Sequence, residues 1–260
     1  MKNIYLFDID GTIYDNKFHQ IDPGFLDECS KRMKQGDLIF LVSSRSPFEM
    51  VHLPQEFLKF GFSGIILEGG AANYGGTMEL NDARLIPNEM IRKIRDYCRE
   101  RHLLWRYSGP DGNYFNTPAK PKVRTHWRKL YLVTPGVKEW VGDDVCNILI
   151  WTDDERQKEE IKNLLPEGSI VTYTHVVEIR AKSISKERFV NKIRKQNPGC
   201  RIYAFGDGLN DIGMLKAADY SCAVSNASLP VQDAASEVIG SVRDHGVSEW
   251  LKAHPQGVSA

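Results

Sequence analysis

The sequence predicts an α/β protein: a doubly wound, Rossmann-like parallel sheet interrupted by an inserted α/β cap domain. Three observations carry that expectation. The unbroken apolar runs Ile4-Tyr5-Leu6-Phe7, Leu38-Ile39-Phe40-Leu41-Val42 and Ile202-Tyr203-Ala204-Phe205 alternate with segments of helical spacing, as strands covered on both faces by crossover helices do. Each run stops at acidic or hydroxyl residues, and the carboxyl ends of strands are where a doubly wound sheet binds ligands. The alternation lapses near Gly75-Gly76 and resumes after Ser183.

Each element has a local reason. After the first strand, Asp22-Pro23 supplies an N-cap and a favoured first helical position. Leu26, Cys29 and Met33 then recur at helical spacing, and Gly36 offers a stop. Strand 38–42, a helix over 48–60 and a short strand at 65–67 follow. The middle third reads as a helix over 88–101, an aromatic and basic strand region over 123–133, and a strand at 147–151. A charged helix over 153–165 and strands at 169–173 and 176–179 complete it. Helix 186–196, strand 201–205, helix 210–217 and strand 220–224 close the chain. The expected division is a core of residues 1–76 and 183–260 and a cap of residues 77–182. An insertion leaving from the strand-end edge sits over the site as a lid.

Composition narrows the function. Lysine plus arginine equals aspartate plus glutamate, 34 each, so no nucleic-acid partner is expected. No apolar run approaches the ~20 residues of a membrane span, and the four-residue N-terminal run ends in aspartates, unlike a signal peptide. The five cysteines are odd in number and lack a Cys-x-x-Cys pair, which suits reduced thiols in a cytoplasmic protein.

The chemistry concentrates where strands stop. Asp8-Ile9-Asp10-Gly11-Thr12 follows the first strand, and Gly206-Asp207-Gly208-Leu209-Asn210-Asp211 follows strand 201–205. Ionised carboxylates are costly to bury unpaired, so such clusters hold a cation, perform acid–base or nucleophilic chemistry, or both. The plain alternative for the first is an Asp-Gly turn. The five fixed positions of the second arise by chance in roughly one chain in ten thousand of this length, and two such junctions in one chain argue for a shared site.

With Ser43-Ser44-Arg45 after strand 38–42 and Lys186 in Ser183-Ile184-Ser185-Lys186, these motifs resemble the haloacid dehalogenase-like phosphohydrolases, within them the Cof-type branch with a large α/β cap. Asp211-Ile212-Gly213-Met214-Leu215 and Asn226-Ala227 also resemble that branch, and the motifs run in order across nearly the whole chain. The resemblance implies a Mg²⁺-dependent phosphatase acting on a small phosphorylated metabolite, a sugar phosphate or similar. It implies Asp8 as nucleophile, forming an aspartyl-phosphate, and Asp10 as general acid and base. Asp8, Asp207, the Asp10 carbonyl and Asp211 are then the metal ligands. Lys186 serves the phosphate and Asp8, while Ser43, Ser44, Arg45 and Asn210 serve the phosphoryl group.

Plainer roles stand beside these. Asp207 can cap the next helix, Asp10 can open a turn, Lys186 can be a solvated lysine and Arg45 a structural ion pair. Ser43 stands where the family usually has threonine, and Glu68-Gly69-Gly70-Ala71 where many relatives have asparagine before Gly-Ala. Lys120, Lys122, Arg124, His126 and Arg128 recur at period two, one face of a strand, either solvated or turned to an anionic substrate. The polar loop 108–118 and His175 are further cap candidates. Two rival functions remain: a phosphomannomutase-like transferase, and a binding protein that keeps the fold without turnover.

Overall fold

The computed structural model describes residues 2–258; Met1 and residues 259–260, at the edges of the expected core, lie outside it. An eight-stranded sheet runs in the order Glu237–Ile239, Tyr220–Val224, Arg201–Gly206, Asn3–Phe7, Leu38–Val42, Gly64–Leu67, Ala72–Tyr74, Leu80–Ala83. The first six are mutually parallel, and Ala72–Tyr74 pairs antiparallel with both Gly64–Leu67 and Leu80–Ala83. Asn3–Phe7 is central, flanked by Arg201–Gly206 and Leu38–Val42. Connections leave it in opposite directions, so the crevice of the sheet opens at its carboxyl end.

The continuous apolar runs are explained by two covered faces. Tyr5, Phe7, Ile39, Leu41, Tyr203 and Phe205 point one way, into a cluster with Phe25, Phe57 and Trp250. Ile4, Leu6, Phe40, Val42 and Ala204 point the other, against Phe189, Val190 and Met214. Each fully buried large side chain contributes about 1.5–3 kcal/mol, so the strand ends are held on a rigid base.

Residues between the strands Leu80–Ala83 and Arg201–Gly206 build a second sheet. Its order is Gly136–Val137, Gly112–Phe115, Trp105–Gly109, Asn147–Trp151, Val176–Arg180, Ser169–Thr172. One face is apolar: Trp105, Tyr107, Ile148, Ile150, Val177 and Ile179 pack on residues of the Asn88–Glu100 and Glu155–Leu164 helices. The strand Leu80–Ala83, within 77–182, still pairs with the larger sheet.

Several local expectations need correction. Residues 123–133 form no strand; Pro121–Lys129 is a helix. Pro121 suits a first helical position, lysine and arginine are good helix formers, and Val123 and Trp127 fall four apart on one face. Trp127 lodges against Phe115 and Trp151, with ring centroids 5.8 and 5.9 Å away. A period of two advances about 200° per step around a helix, so the set splits between two sides: Arg124 and Arg128, four apart, share one, and Lys122 falls on the other. Lys120, Lys122, Arg124 and Arg128 are exposed; the His126 side chain lies outside the described parts.

The expected loop 108–118 is largely the hairpin of Trp105–Gly109 and Gly112–Phe115, closed by Pro110-Asp111. The helix over 48–60 is a 3₁₀ turn, Pro47–Glu49, and a short helix, Gln55–Leu58; Pro54 between them lacks an amide and disfavours helix before it. The first helix spans Phe25–Lys34 with Gly24 at its cap. Asp22 instead accepts from the amides of Gly24 (3.1 Å) and Ser248 (3.0 Å). Helix 210–217 begins as a 3₁₀ turn, Leu209–Asp211, before Ile212–Ala217. Among the described residues no helix is long and apolar enough to cross a membrane, and all five cysteines are free thiols.

Candidate active site

The parallel pairing of Asn3–Phe7 with Arg201–Gly206 sets Phe7 opposite Phe205, so Asp8 and Asp207 leave adjacent strands side by side. The Asp8 amide donates to the Phe205 carbonyl at 3.0 Å. Lys186 starts the Lys186–Gln196 helix, which Ser185 caps by accepting from the Arg188 amide at 3.2 Å. Its ammonium is fully buried and donates to Asp8 Oδ1 and Asp211 Oδ1, both at 2.6 Å. Thr12 donates to Asp8 Oδ2 at 3.1 Å. Asp211 Oδ2 accepts from the amides of Asp207 (3.1 Å) and Gly208 (2.9 Å), which ties the acidic turn into one unit.

Oxygens of Asp8, Asp207 and Asp211 lie within 4.8 Å of one another. Burial pushes the Asp8 carboxyl up to about 7, with the Asp211 charge adding to it and Lys186 opposing. Burial and the charges of Asp8 and Asp211 push Asp207 up to about 9. Lys186 is raised above its ordinary value: burial works against its charge, but Asp211 and Asp8 outweigh it. With Asp10 nearby, four carboxylates face the two cations Lys186 and Arg45. Among the described residues the Asp207 carboxylate accepts no hydrogen bond. An all-oxygen donor set with a deficit of positive charge fits a hard divalent cation such as Mg²⁺. Asp207 also needs its neighbour to be glycine: a Cβ on Gly11, at φ +79°, would lie 2.2 Å from Asp207 Oδ2.

Asp10 stands at the rim, partly exposed. Arg45 grips it with Nε to Oδ2 at 2.8 Å and a terminal nitrogen to Oδ1 at 2.7 Å, and Asn16 donates at 2.6 Å. Arg45 is buried, donates also to the Glu49 carbonyl at 2.6 Å and lies over the Tyr14 ring. Its guanidinium is thus directed to Asp10. Ser43 is buried beside them, its hydroxyl accepting from the Arg45 amide at 3.1 Å. Asn210 donates to the Ser44 hydroxyl at 2.7 Å, bridging two motif loops. Asn226 bridges the Gly11 carbonyl and the Val242 amide, each at 2.9 Å. His175, exposed in the turn between Ser169–Thr172 and Val176–Arg180, pairs with Asp153.

Thr12 and Asn16 complete the shell and were not singled out as ligands of Asp8 and Asp10, although Thr12 lies within the first motif. A second polar group joins the two sheets. Arg106 donates to Glu49 Oε1 (2.9 Å) and to Asn113 Oδ1 (2.6 Å), and Ser108 donates to Glu68 Oε2 (2.8 Å). Asn147 and Tyr173 donate to Glu178 at 2.7 and 3.0 Å, and Arg180 forms an ion pair with it at 2.7 Å. Burial acts to raise the Glu178 carboxyl, but Arg180 and these donors hold it below its usual range. Burial pushes Glu68 up to about 8, against the pull of Arg106. Alternation in Trp105-Arg106-Tyr107-Ser108 and Val177-Glu178-Ile179-Arg180 was the readable signal for this face.

The model of one family, described as haloacid dehalogenase-like hydrolase, matches residues 5–251. A Bacillus subtilis (strain 168) protein named "Putative phosphatase YkrA" is 24% identical over 259 residues, covering 96% of each chain. Among solved structures, the sugar phosphatase BT4131 of HAD subclass IIB superposes with a TM-score of 0.85 at 21% identity, over 97% of this chain and 98% of that one. BT1666 from Bacteroides thetaiotaomicron gives 0.82 at 23% identity, over 97% and 95%.

Proposed function

The chain belongs to the haloacid dehalogenase-like hydrolases, and we propose that it is a Mg²⁺-dependent phosphatase acting on a small phosphorylated metabolite, a sugar phosphate or similar. The observation that carries this reading is the convergence of Asp8, Lys186, Asp207 and Asp211, drawn from both ends of the chain, with Asp10 alongside. The phosphatase designation of YkrA and the sugar phosphatase activity of BT4131 support it. On this reading residues 77–182 act as a substrate-selecting cap over the core.

Asp8, Asp207 and Asp211, with the Asp10 carbonyl, would hold Mg²⁺, which when bound offsets the repulsion between carboxylate and phosphate dianion. An Asp8 oxygen, oriented by Lys186 and Thr12, bonds to phosphorus as the phosphorus–alkoxide bond breaks. The leaving alcohol takes its proton from Asp10. Water then attacks the aspartyl-phosphate, giving its proton to Asp10 and restoring the Asp8 carboxylate with release of inorganic phosphate. Three N–H groups point at the Asp10 carboxylate and fix its position. Ser43, Ser44, Asn210 and Lys186 bind phosphoryl oxygens, while Arg45 fixes Asp10.

The test is phosphate release with Mg²⁺ from sugar phosphates, nucleotides and pyridoxal phosphate, with Asp8→Asn assayed beside the wild type. Release abolished by EDTA and by Asp8→Asn is expected. Release that survives Asp8→Asn would overturn the nucleophile, and no release from any compound would overturn the phosphatase reading.

A further inference from the structure

The turn 68–70 and the polar face of the smaller sheet bury a set of charged groups that the proposed chemistry leaves unused. We propose that Glu68 and Arg180 are specificity-determining residues that receive the leaving alcohol and select an uncharged polyol over an anionic one. This inference rests on the phosphatase reading above.

The turn is tied to two segments that supply the candidate site, 43–45 and 185–186. Glu68 follows the Gly64–Leu67 strand, and its amide donates to the Arg45 carbonyl at 2.9 Å, while the Gly69 amide donates to the Ser43 carbonyl at 3.0 Å. A Cβ on Gly70 would lie 2.7 Å from the Ser185 carbonyl oxygen, so the turn abuts the helix start that carries Lys186. Glu68, Gly69 and Gly70 all have positive φ, 54°, 64° and 108°. For the glutamate that conformation costs about 1–3 kcal/mol and persists only where its surroundings impose it.

Arg180 reaches this turn from the other sheet. A Cβ on Gly69 would lie 2.6 Å from its Cζ, and one terminal nitrogen donates to the Gly69 carbonyl at 3.0 Å. The guanidinium therefore lies in space that only glycine leaves open. Both residues keep polar capacity in reserve. Glu68 Oε1 and Arg180 Nε are buried without a hydrogen-bond partner. Leaving such an atom unsatisfied costs about 1–3 kcal/mol, and an orphaned group of this kind calls for an explanation. A ligand that supplies the missing partners is one.

The chemistry of that ligand follows from the pairing. Arg106 is matched by Glu49 at 2.9 Å and Arg180 by Glu178 at 2.7 Å. A second anionic group on the substrate would find no free counter-charge here and would face Glu68 as well. A hydroxyl group both donates and accepts, so it can serve the Glu68 carboxyl and the Arg180 N–H. Entering between the sheets, a polyol hydroxyl donates to Glu68 Oε1, while Ser108 stays on Oε2.

The experiment compares kcat and KM for a hexose monophosphate, a hexose bisphosphate and p-nitrophenyl phosphate in the wild type, Glu68→Gln and Arg180→Lys. The wild type is expected to favour the monophosphate over the bisphosphate. In either variant kcat/KM for the monophosphate should fall ~10–100-fold more than for the aryl ester, the range of a lost hydrogen bond to a charged group. An unchanged ratio in a folded variant overturns the inference. So does a wild type that prefers the bisphosphate, which is read without any variant. Release from the aryl ester with no preference for the polyol overturns this inference alone. Release from none of the three overturns the phosphatase reading and this inference together.

Discussion

Asp207→Asn is expected to stabilise the metal-free protein while destroying its response to Mg²⁺. Asp207 sits with Asp8 and Asp211 inside a 4.8 Å cluster. At an effective dielectric of ~20, two ionised carboxylates at that distance repel by about 3 kcal/mol. Asp207 has two such neighbours, and Lys186 offsets roughly one of them, which leaves about 3 kcal/mol to be relieved. For a chain of this size each kcal/mol moves Tm by about 2–4 °C, so the variant should melt roughly 6–12 °C higher in EDTA. The sign with pH is fixed by the direction of the shift. Asp207 is raised to about 9, so its contribution to stability is full below the ordinary aspartate value and is lost as pH rises through the folded one. The gap between variant and wild type should therefore widen from acid to alkaline pH and close near pH ~4. Mg²⁺ at a thousand times its Kd should reverse the order, since it adds about 4.1 kcal/mol to the protein that binds it. Thermal melts followed by circular dichroism, with and without Mg²⁺, read all of this. A variant that melts lower than wild type in EDTA, or equal stabilisation of both by Mg²⁺, would contradict a repulsive, metal-binding role for Asp207.

Other substitutions probe neighbouring parts of the account. Lys186→Met leaves Asp8 and Asp211 without their shared counter-ion, and urea unfolding should show a loss of about 3–5 kcal/mol, together with loss of phosphate release; unchanged stability would contradict the buried ion-pair geometry. Asp10→Asn should lower turnover ~10²–10⁴-fold, measured as steady-state phosphate release; turnover close to wild type would remove Asp10 from proton transfer. Trp127→Ala should cost about 3–5 kcal/mol in urea unfolding, because the buried ring packs against both Phe115 and Trp151. A loss below about 1 kcal/mol would mean that the Pro121–Lys129 helix is not docked as described.

What could be read in advance depended on how local the signal was. Asn3–Phe7, Leu38–Val42 and Arg201–Gly206 were legible because each is apolar on both faces and ends in residues that make poor core. The meeting of Asp8, Lys186, Asp207 and Asp211 followed once those strands were taken as parallel. The edge strands Leu80–Ala83 and Glu237–Ile239 escaped because they are short and largely solvent-facing, so hydrophobic periodicity does not mark them. Period-two charges misled at 120–128 because long basic side chains tolerate either conformation and only the burial of Trp127 decides between them. The direction of the Arg45 fork, onto Asp10, is a rotamer choice made by packing against Tyr14 and Glu49. The Arg106, Glu178 and Arg180 network needed the register of four antiparallel strands, Asn147 facing both Ser108 and Arg180. No one-dimensional pattern supplies that register.

On the proposed mechanism the phosphoryl group passes through Asp8. The most direct measurement is to quench the Mg²⁺-loaded enzyme with acid during turnover of its best substrate, reduce with borohydride and map the product by peptide mass spectrometry. Homoserine is expected at position 8, formed by reduction of an aspartyl-phosphate, and should be absent from Asp8→Asn. Turnover with no modified residue, or with the label at any other position, would contradict it.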